Sequence, residues 1–172
     1  MTTALAQIPV GVIVTRRKAA SQWIDYVWQP TGILVGQPDT PPWTLLSNDG
    51  DAAMFYAGSA VLELFRSDTG NYRDNLVGDS ALWVVLQPTG VDPPYEVAKV
   101  TADPSEGEAS AEAGGAIVES LPMPDSLRDL VAAFVAEHHV EQTFFKRQRT
   151  RAEPEALARR SPLQAKPDSG KP

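Results

Sequence analysis

Histidines and carboxylates are the side chains of this sequence that could act in catalysis or hold a metal ion. The two histidines, His138 and His139, are adjacent, whereas zinc-binding pairs on a helix are spaced four residues apart, as in H-E-x-x-H. Asp68, Asp74 and Asp79 fall in one polar segment, where aspartate side chains usually bond their own backbone. We therefore predict no catalytic residue, no metal site and no bound cofactor, with one histidine packed and the other solvated.

The composition of the chain excludes several classes of protein. The absence of cysteine excludes disulfides, thiolate metal sites and a catalytic thiol. The glycine-rich loops that hold phosphates are missing, as is the G-x-S-x-G turn of many hydrolases. The 172 residues include 15 basic and 22 acidic ones, and this net charge of −7 predicts no binding to nucleic acid. Without a long apolar run or a signal peptide, we expect a cytoplasmic protein with no membrane insertion.

Basic residues cluster at two places that could contact a protein partner. Three of them follow the first β-branched run, and others follow an aromatic pair near the end of the last predicted helix. The first cluster could be an anion-binding patch or simply a charged strand end or turn, and the aromatic pair could instead fix the helix to a sheet. The candidate partner-binding residues are Arg16, Arg17, Phe144, Phe145, Lys146, Arg147 and Arg149.

Aromatic residues could line a ligand site, although on strands they usually belong to the core. Four tryptophans, at positions 23, 28, 43 and 83, could form a stacking platform for a ligand, although three of them sit beside apolar residues as core residues do. If the sheet forms the mouth of a barrel, Trp28, Tyr72 and Asn75 are the candidate ligand-binding residues.

Hydrophobic patterning predicts seven or eight strands and two helices. Strands are expected near residues 8–14, 23–36 (with a bulge at Pro30 and Gly32), 43–46, 52–57, 61–66, 82–86, 95–101 and 117–121. A loop or short helix should occupy residues 67–78, and a helix capped by Asp103 should end at Gly114. A longer helix, capped by Asp125, carries one apolar stripe. We predict an α+β fold in which this helix packs on one curved antiparallel sheet or partly open barrel.

The charge changes sign along the chain. Residues 146–172 contain eight basic and three acidic residues, four prolines and no aromatic residue, whereas the preceding 145 residues carry a net charge of −12. Such a tail cannot bury enough apolar surface to offset its ordering entropy. We predict one domain over residues 1–145 and a disordered basic tail over residues 146–172.

A set of ordered landmarks over residues 8–149 resembles a known family. These landmarks are Pro9 to Val12 with Arg16 and Arg17; Trp23, Tyr26 and Trp28; Tyr72 with Asn75 and Leu76; Trp83 to Leu86; Val118, Glu119 and the Pro122-Met123-Pro124 run; and His138, His139, Phe144 or Phe145, Lys146 and Arg147. Together they resemble DUF3305, a proteobacterial family of small uncharacterised proteins. Its members are often encoded beside molybdenum-dependent formate dehydrogenases, so the resemblance implies a link to that enzyme or its maturation.

Some members of the family carry the label molybdopterin-guanine dinucleotide biosynthesis protein A, which this sequence does not fit. A guanylyltransferase of that kind needs a glycine-rich nucleotide loop on a fold that alternates strands and helices. Here Gly11 is the only glycine in the first predicted strand, and the predicted strands are not interleaved with helices.

Three functions remain open from the sequence. The first is a non-enzymatic accessory protein that binds a partner, possibly a formate dehydrogenase subunit, during assembly or regulation of the enzyme. The second is a small-ligand-binding domain or an enzyme that acts on a molybdenum-cofactor precursor through Trp28, Tyr72 and Asn75. The third is self-association through the opposite charges of tail and body, which would be sensitive to salt.

Overall fold

The computed structural model describes residues 3–141, which contain seven strands and three helices. The strands are β1 (Ala6–Lys18), β2 (Tyr26–Val35), β3 (Thr44–Asp49), β4 (Ala52–Leu64), β5 (Ala81–Pro88), β6 (Tyr95–Thr101) and β7 (Ile117–Pro122). The helices are α1 (Thr69–Val77), which directly follows a 3-10 turn (Arg66–Asp68), α2 (Pro104–Glu112) and α3 (Asp125–His138). The α+β class and the strand count predicted from the sequence are confirmed.

The first sheet is antiparallel, with the strand order β2-β1-β4-β3. Its two central strands, β1 and β4, are 13 residues long. Each neighbour of β1 carries one extra residue at the same level of the strand, Thr31 on β2 and Ala57 on β4. Such bulges bend a sheet and increase its twist. The bulge predicted between Pro30 and Gly32 is confirmed.

Gly58 lies inside β4 and does not separate two strands as the sequence predicted. Its φ of +127° is a conformation that side chains rarely adopt, and Gly58 directly follows the bulged residue Ala57. Here the glycine allows a long strand to bend without ending.

The prediction of one curved sheet or barrel is wrong, because the strands form two separate sheets. The second sheet has the order β6-β5-β7, so β5 is the central strand. Between β4 and β5 the chain forms the 3-10 turn and α1. The inner rows of β1 and β5 are fully buried in one core, because the two apolar faces cover each other. These rows are Val10, Val12 and Val14 on β1, and Leu82, Val84 and Leu86 on β5.

Helix α2 covers the other face of the second sheet, where it contacts β5, β6 and β7. Its buried Gly107 lies so close to Trp83 that an added Cβ would overlap the indole ring. Asp103 caps the helix as predicted, since its side chain accepts a hydrogen bond of 2.9 Å from the N–H of Ser105. The absence of a side chain at Gly107 therefore sets the distance between α2 and the sheet.

Helix α3 contacts α1 and places Leu127, Val131, Phe134 and Val135 in the core. It has 14 residues, and Leu130, although apolar, is half exposed. The predicted cap is wrong: Pro124 occupies the N-cap position, and no side chain, including that of Asp125, accepts a hydrogen bond there. Pro124 lacks a side-chain acceptor but still accepts the N–H of Arg128 through its carbonyl.

Residues up to Val140 form one compact unit, and a second unit, Glu141–Pro172, lies outside the described residues after Glu141. The predicted boundary at residue 145 and the predicted tail therefore stay predictions. Within residues 3–141, no helix is both long and apolar enough to cross a membrane.

Candidate functional site

The row of side chains that β1 directs into the core continues beyond the core and ends at Arg16. Side chains at alternate positions of a strand project from the same face, so Arg16 follows Val10, Val12 and Val14. The valines are fully buried, whereas the side chain of Arg16 is only partly buried. Arg16 pairs with Trp28 on β2 and with Ala53 on β4, at the end of the sheet where β1 turns into β2.

Three aromatic rings surround the guanidinium of Arg16. Its Cζ lies over the ring of Tyr26, 4.3 Å from the centroid, and 5.6 and 5.3 Å from the centroids of Trp28 and Phe55. These distances are within the range of cation–π attraction. Among residues 3–141, no carboxylate lies within ion-pair distance of Arg16, and no residue accepts a hydrogen bond from its side chain. The three rings therefore fix the position of the Arg16 guanidinium, whose charge no carboxylate of the described residues neutralises.

An aromatic cluster supports this arrangement and links the two sheets. The ring of Trp28 lies 5.7 Å from Trp43 in an edge-to-face arrangement, 5.9 Å from Phe55 and 6.3 Å from Tyr95 of the second sheet. Trp43 also contacts Phe55, at 6.1 Å. All four centroid distances are in the range of aromatic contacts, and the Trp28–Trp43 pair has the favourable edge-to-face geometry.

Trp43 reaches the cluster through an unusual backbone conformation. Its φ of +64° lies in the left-handed region, which is rare for residues other than glycine, and its N–H donates to the carbonyl of Tyr56. Thr44 stabilises the same turn by donating from Oγ1 to the carbonyl of Pro41 at 2.7 Å. No feature of the sequence indicates this conformation.

A pocket of about 410 Å³ adjoins the aromatic cluster, with Trp43 and Tyr95 in its wall. It lies between the bulge of β4 and the first residues of β6, next to the loop that contains the cis bond before Pro93. Among the described residues that line this pocket, Glu96 is the only charged one.

The connection between β1 and β2 exposes large apolar side chains next to Arg16. Ala19 N–H donates to the carbonyl of Asp25 at 3.0 Å and closes the turn. Within and just after the turn, Trp23 is 86% and Ile24 57% exposed, and Tyr26 and Val27 are also largely exposed. We call these four residues, together with Arg16, Arg17 and Lys18, the hairpin-end surface.

The hairpin-end surface is the main concentration of positive charge in an otherwise acidic part of the chain. Residues 3–141 contain seven lysines and arginines and 19 acidic residues, and three of the seven cations are Arg16, Arg17 and Lys18. Arg17 and Lys18 are exposed at the end of β1.

Asn75 and Tyr72, two of the three predicted ligand-binding residues, use their side chains in hydrogen bonds with the backbone. Asn75 is buried; its Nδ2 donates to the carbonyls of Ala81 (2.8 Å) and Ala102 (2.9 Å), and its Oδ1 accepts from Ala81 N–H (2.9 Å). Tyr72 is also buried and accepts a hydrogen bond from Phe65 N–H. Burial raises the pKa of Tyr72 to about 12, against the effect of that hydrogen bond. In the described part of the chain, no ring contact or hydrogen bond joins Trp28 to either residue, so the three candidates are not brought together.

The histidines contact helices rather than a shared site. The ring centroid of His138 lies 4.5 Å from that of Phe134. Nε2 of His139 lies 3.0 Å from the guanidinium of Arg73, and its Nδ1 lies 3.1 Å from the hydroxyl of Thr69. Because arginine can only donate, Nε2 must accept and Nδ1 must carry the proton. Both rings are partly buried, His138 against Phe134 and His139 in hydrogen bonds, and neither is the solvated histidine that we expected.

Glu106 of α2 forms polar contacts with two residues of β6. Glu106 accepts hydrogen bonds of 2.6 Å from both Lys99 and Thr101. Burial raises the pKa of Glu106, but the bonds from Lys99 and Thr101 outweigh burial and hold it below its usual value. No group of three or more residues within the described ranges could hold a metal ion.

The remaining predicted partner-binding residues, Phe144, Phe145, Lys146, Arg147 and Arg149, lie outside the described residues. Their role stays a prediction.

The fold and the hairpin-end surface define an α+β protein of two antiparallel sheets, with an exposed aromatic and cationic surface on the first. A family model described as a protein of unknown function, DUF3305, matches residues 9–149. The chain therefore belongs to DUF3305, as its landmarks indicated. No curated protein and no solved structure matches the chain.

Proposed function

We propose that this protein is a non-enzymatic accessory protein in the assembly or regulation of a molybdenum-dependent formate dehydrogenase. It acts through protein–protein contacts, and its partner is a subunit of that enzyme. The choice of enzyme rests on what the resemblance to DUF3305 implies, and the choice of protein binding rests on the hairpin-end surface.

The exposure of Trp23 is the observation that carries the protein-binding role. An indole that is 86% exposed covers little of its own protein, and its neighbours in the chain, Ile24, Tyr26 and Val27, are exposed as well. Tryptophan, tyrosine and arginine are the residues that contribute most to binding at protein interfaces. A contiguous apolar area beside charged residues is the pattern of such an interface.

The aromatic cluster orders the part of this surface that lies on β2. Tyr26 and Trp28 are held on β2 by pairing with β1, and Trp28 is packed against both sheets. Preordered side chains lose less conformational entropy on binding.

Retention of purified formate dehydrogenase subunits by the immobilised full-length protein tests the proposal. We expect one subunit to be retained, and we expect W23S/I24S to lose that retention while its thermal unfolding is unchanged. The matched control is V61S/V77S: Val77 is 84% exposed on α1, and Val61 pairs with Pro9, far along β1 from Arg16. Failure of the unmodified protein to retain any subunit would overturn the proposal.

The pocket beside Trp43 favours a small ligand as a second function, although with a different set of residues from Trp28, Tyr72 and Asn75. A wall with two aromatic rings and few polar groups is typical of ligand sites. However, its charged residue is Glu96, which repels the phosphate of a molybdenum-cofactor precursor. An uncharged or cationic ligand fits this pocket better, so the accessory role is the better supported of the two.

A further inference from the structure

Arg16 differs from the other cations of the hairpin-end surface because its position is fixed while its charge is unpaired. The Tyr26 ring covers one face of the guanidinium, and Trp28 and Phe55 limit its movement. An arginine fixed in this way keeps its N–H donors, which lie in the plane of the group and point away from a stacked ring. No described residue accepts from those donors.

We propose that Arg16 is a binding site for a carboxylate, supplied by an acidic segment of the protein partner. This assignment rests on the proposed protein-binding function and names the chemistry that the hairpin-end surface recognises. The planar fork of a guanidinium matches a carboxylate through two parallel N–H···O bonds.

Charge complementarity argues for an acidic segment over other occupants. Arg16, Arg17 and Lys18 are consecutive, so they place three positive charges at one end of β1. No salt bridge to a described residue reduces the charge of any of them. Alternation along β1 places Arg16 and Lys18 on one face and Arg17 on the other. A partner segment with several carboxylates therefore gains most from Arg16 and Lys18, and the apolar part of the same segment packs on Trp23 and Ile24.

Burial beside the rings also explains why Arg16 should dominate the binding. An exposed ion pair contributes little because water screens it and two long side chains must be ordered. The aromatic rings have already ordered Arg16 and removed part of its hydration, whereas Arg17 and Lys18 are exposed. A carboxylate therefore forms a stronger pair with Arg16 than with its neighbours.

Titration of the isotope-labelled full-length protein with a blocked tetraglutamate peptide tests the assignment. The readout is the Nε–H NMR signal of Arg16, identified by its absence in R16K. We expect this signal to shift saturably with tetraglutamate at low salt and to stay unchanged with tetralysine. R16K keeps the charge but loses the planar guanidinium, so we expect its affinity for the peptide, measured for both proteins by titration calorimetry, to be about tenfold weaker. R128K, at an exposed position of α3, is the matched control and should bind as the unmodified protein does.

Three results would overturn the carboxylate site. Unchanged affinity in R16K would show that binding depends on general charge alone. Tighter binding of inorganic phosphate at the same signal would assign the site to phosphate. A shift of the signal with protein concentration, in the absence of peptide, would assign the surface to a second copy of the chain. None of these results depends on the dehydrogenase, so the outcome is distinct from the subunit-retention test.

Discussion

The guanidinium of Arg16 lies over the ring of Tyr26, with 4.3 Å between Cζ and the ring centroid. The two residues come from adjacent strands of one hairpin, and they meet because Arg16 continues a row of valines that the second sheet covers. The first sheet has strands of 13 residues and the central strand of the second has eight, so the first sheet provides more inner surface. Arg16 lies near the end of β1, next to the aromatic cluster through which Trp28 contacts Tyr95 of the second sheet.

The contact between Gly107 and Trp83 predicts opposite effects for two helical glycine substitutions. G107A places a methyl group against the indole, so α2 must shift, at a cost of about 1–3 kcal/mol in the free energy of unfolding. G70A in α1 meets no atom within 4 Å and should stabilise the protein by about 0.5–1 kcal/mol. Urea unfolding of both variants measures the difference. Equal stability of the two would contradict the packing of α2 on the sheet.

Asn75 is predicted to be a structural residue rather than a ligand-binding one. N75A removes three hydrogen bonds and leaves the N–H of Ala81 without its acceptor, so we expect a loss of about 2–3 kcal/mol in stability. Chemical unfolding provides the measurement, and N71A is a control that loses a single bond to Asp103. If N75A were as stable as the unmodified protein, Asn75 would be available for another role.

The depressed pKa of Glu106 predicts a contribution to stability that acid removes. A carboxylate whose folded pKa is lowered stabilises the protein above the pKa of the unfolded state, about 4.3, and the effect disappears as the pH falls through the folded value. Because the side chain is 42% exposed, screening keeps the effect below about 1 kcal/mol. The stability difference between E106Q and the unmodified protein should therefore be largest near neutral pH and shrink below pH 4. A difference that is independent of pH would contradict the role of the charge.

The basic residues after position 143 are predicted to accelerate association with an acidic partner. A chain that ends at Thr143 loses eight basic residues, and we expect its association rate with the retained subunit to fall about tenfold at low salt. At high salt the two rates should converge, since screening removes the attraction. Stopped-flow measurement of both chains gives the comparison. Replacement of Lys146, Arg147 and Arg149 by glutamine, with Phe144 and Phe145 kept, separates charge from aromatic contact. Identical rates at low salt would show that the tail charge has no role.

Local patterns predicted the elements of this fold more successfully than their assembly. The β-branched run of β1, the bulge at Pro30 and Gly32, and the cap at Asp103 depend on short-range chemistry, which is visible in the sequence. The division into two sheets depends on which strands pair over long distances, and Gly58 looked like a strand end because a glycine at a bulge and a glycine at a turn are alike in sequence.

The candidate site was only partly predictable for the same reason. Arg16, Arg17 and Trp28 were identified from residue type and charge clustering, and the structure places all three at one end of the first sheet. Trp43 was grouped with Trp28 from residue type, but Phe55 and Tyr95 were missed, because strand pairing and a contact between sheets bring them to Trp28. Tyr72 and Asn75 have polar side chains of the kind that bind ligands, but these side chains form hydrogen bonds with backbone groups of the protein. The exposure of Trp23 has no signal in the sequence.

Complementation of a strain that lacks this gene tests the central claim most directly. Formate dehydrogenase activity and the molybdenum content of the enzyme are measured in the deletion strain, then with the unmodified protein, with W23S/I24S and with V61S/V77S. We predict that activity is lost on deletion and is restored by the unmodified protein and by V61S/V77S, but not by W23S/I24S. Full activity in the deletion strain would contradict the link to the dehydrogenase, and full restoration by W23S/I24S would contradict the role of the hairpin-end surface.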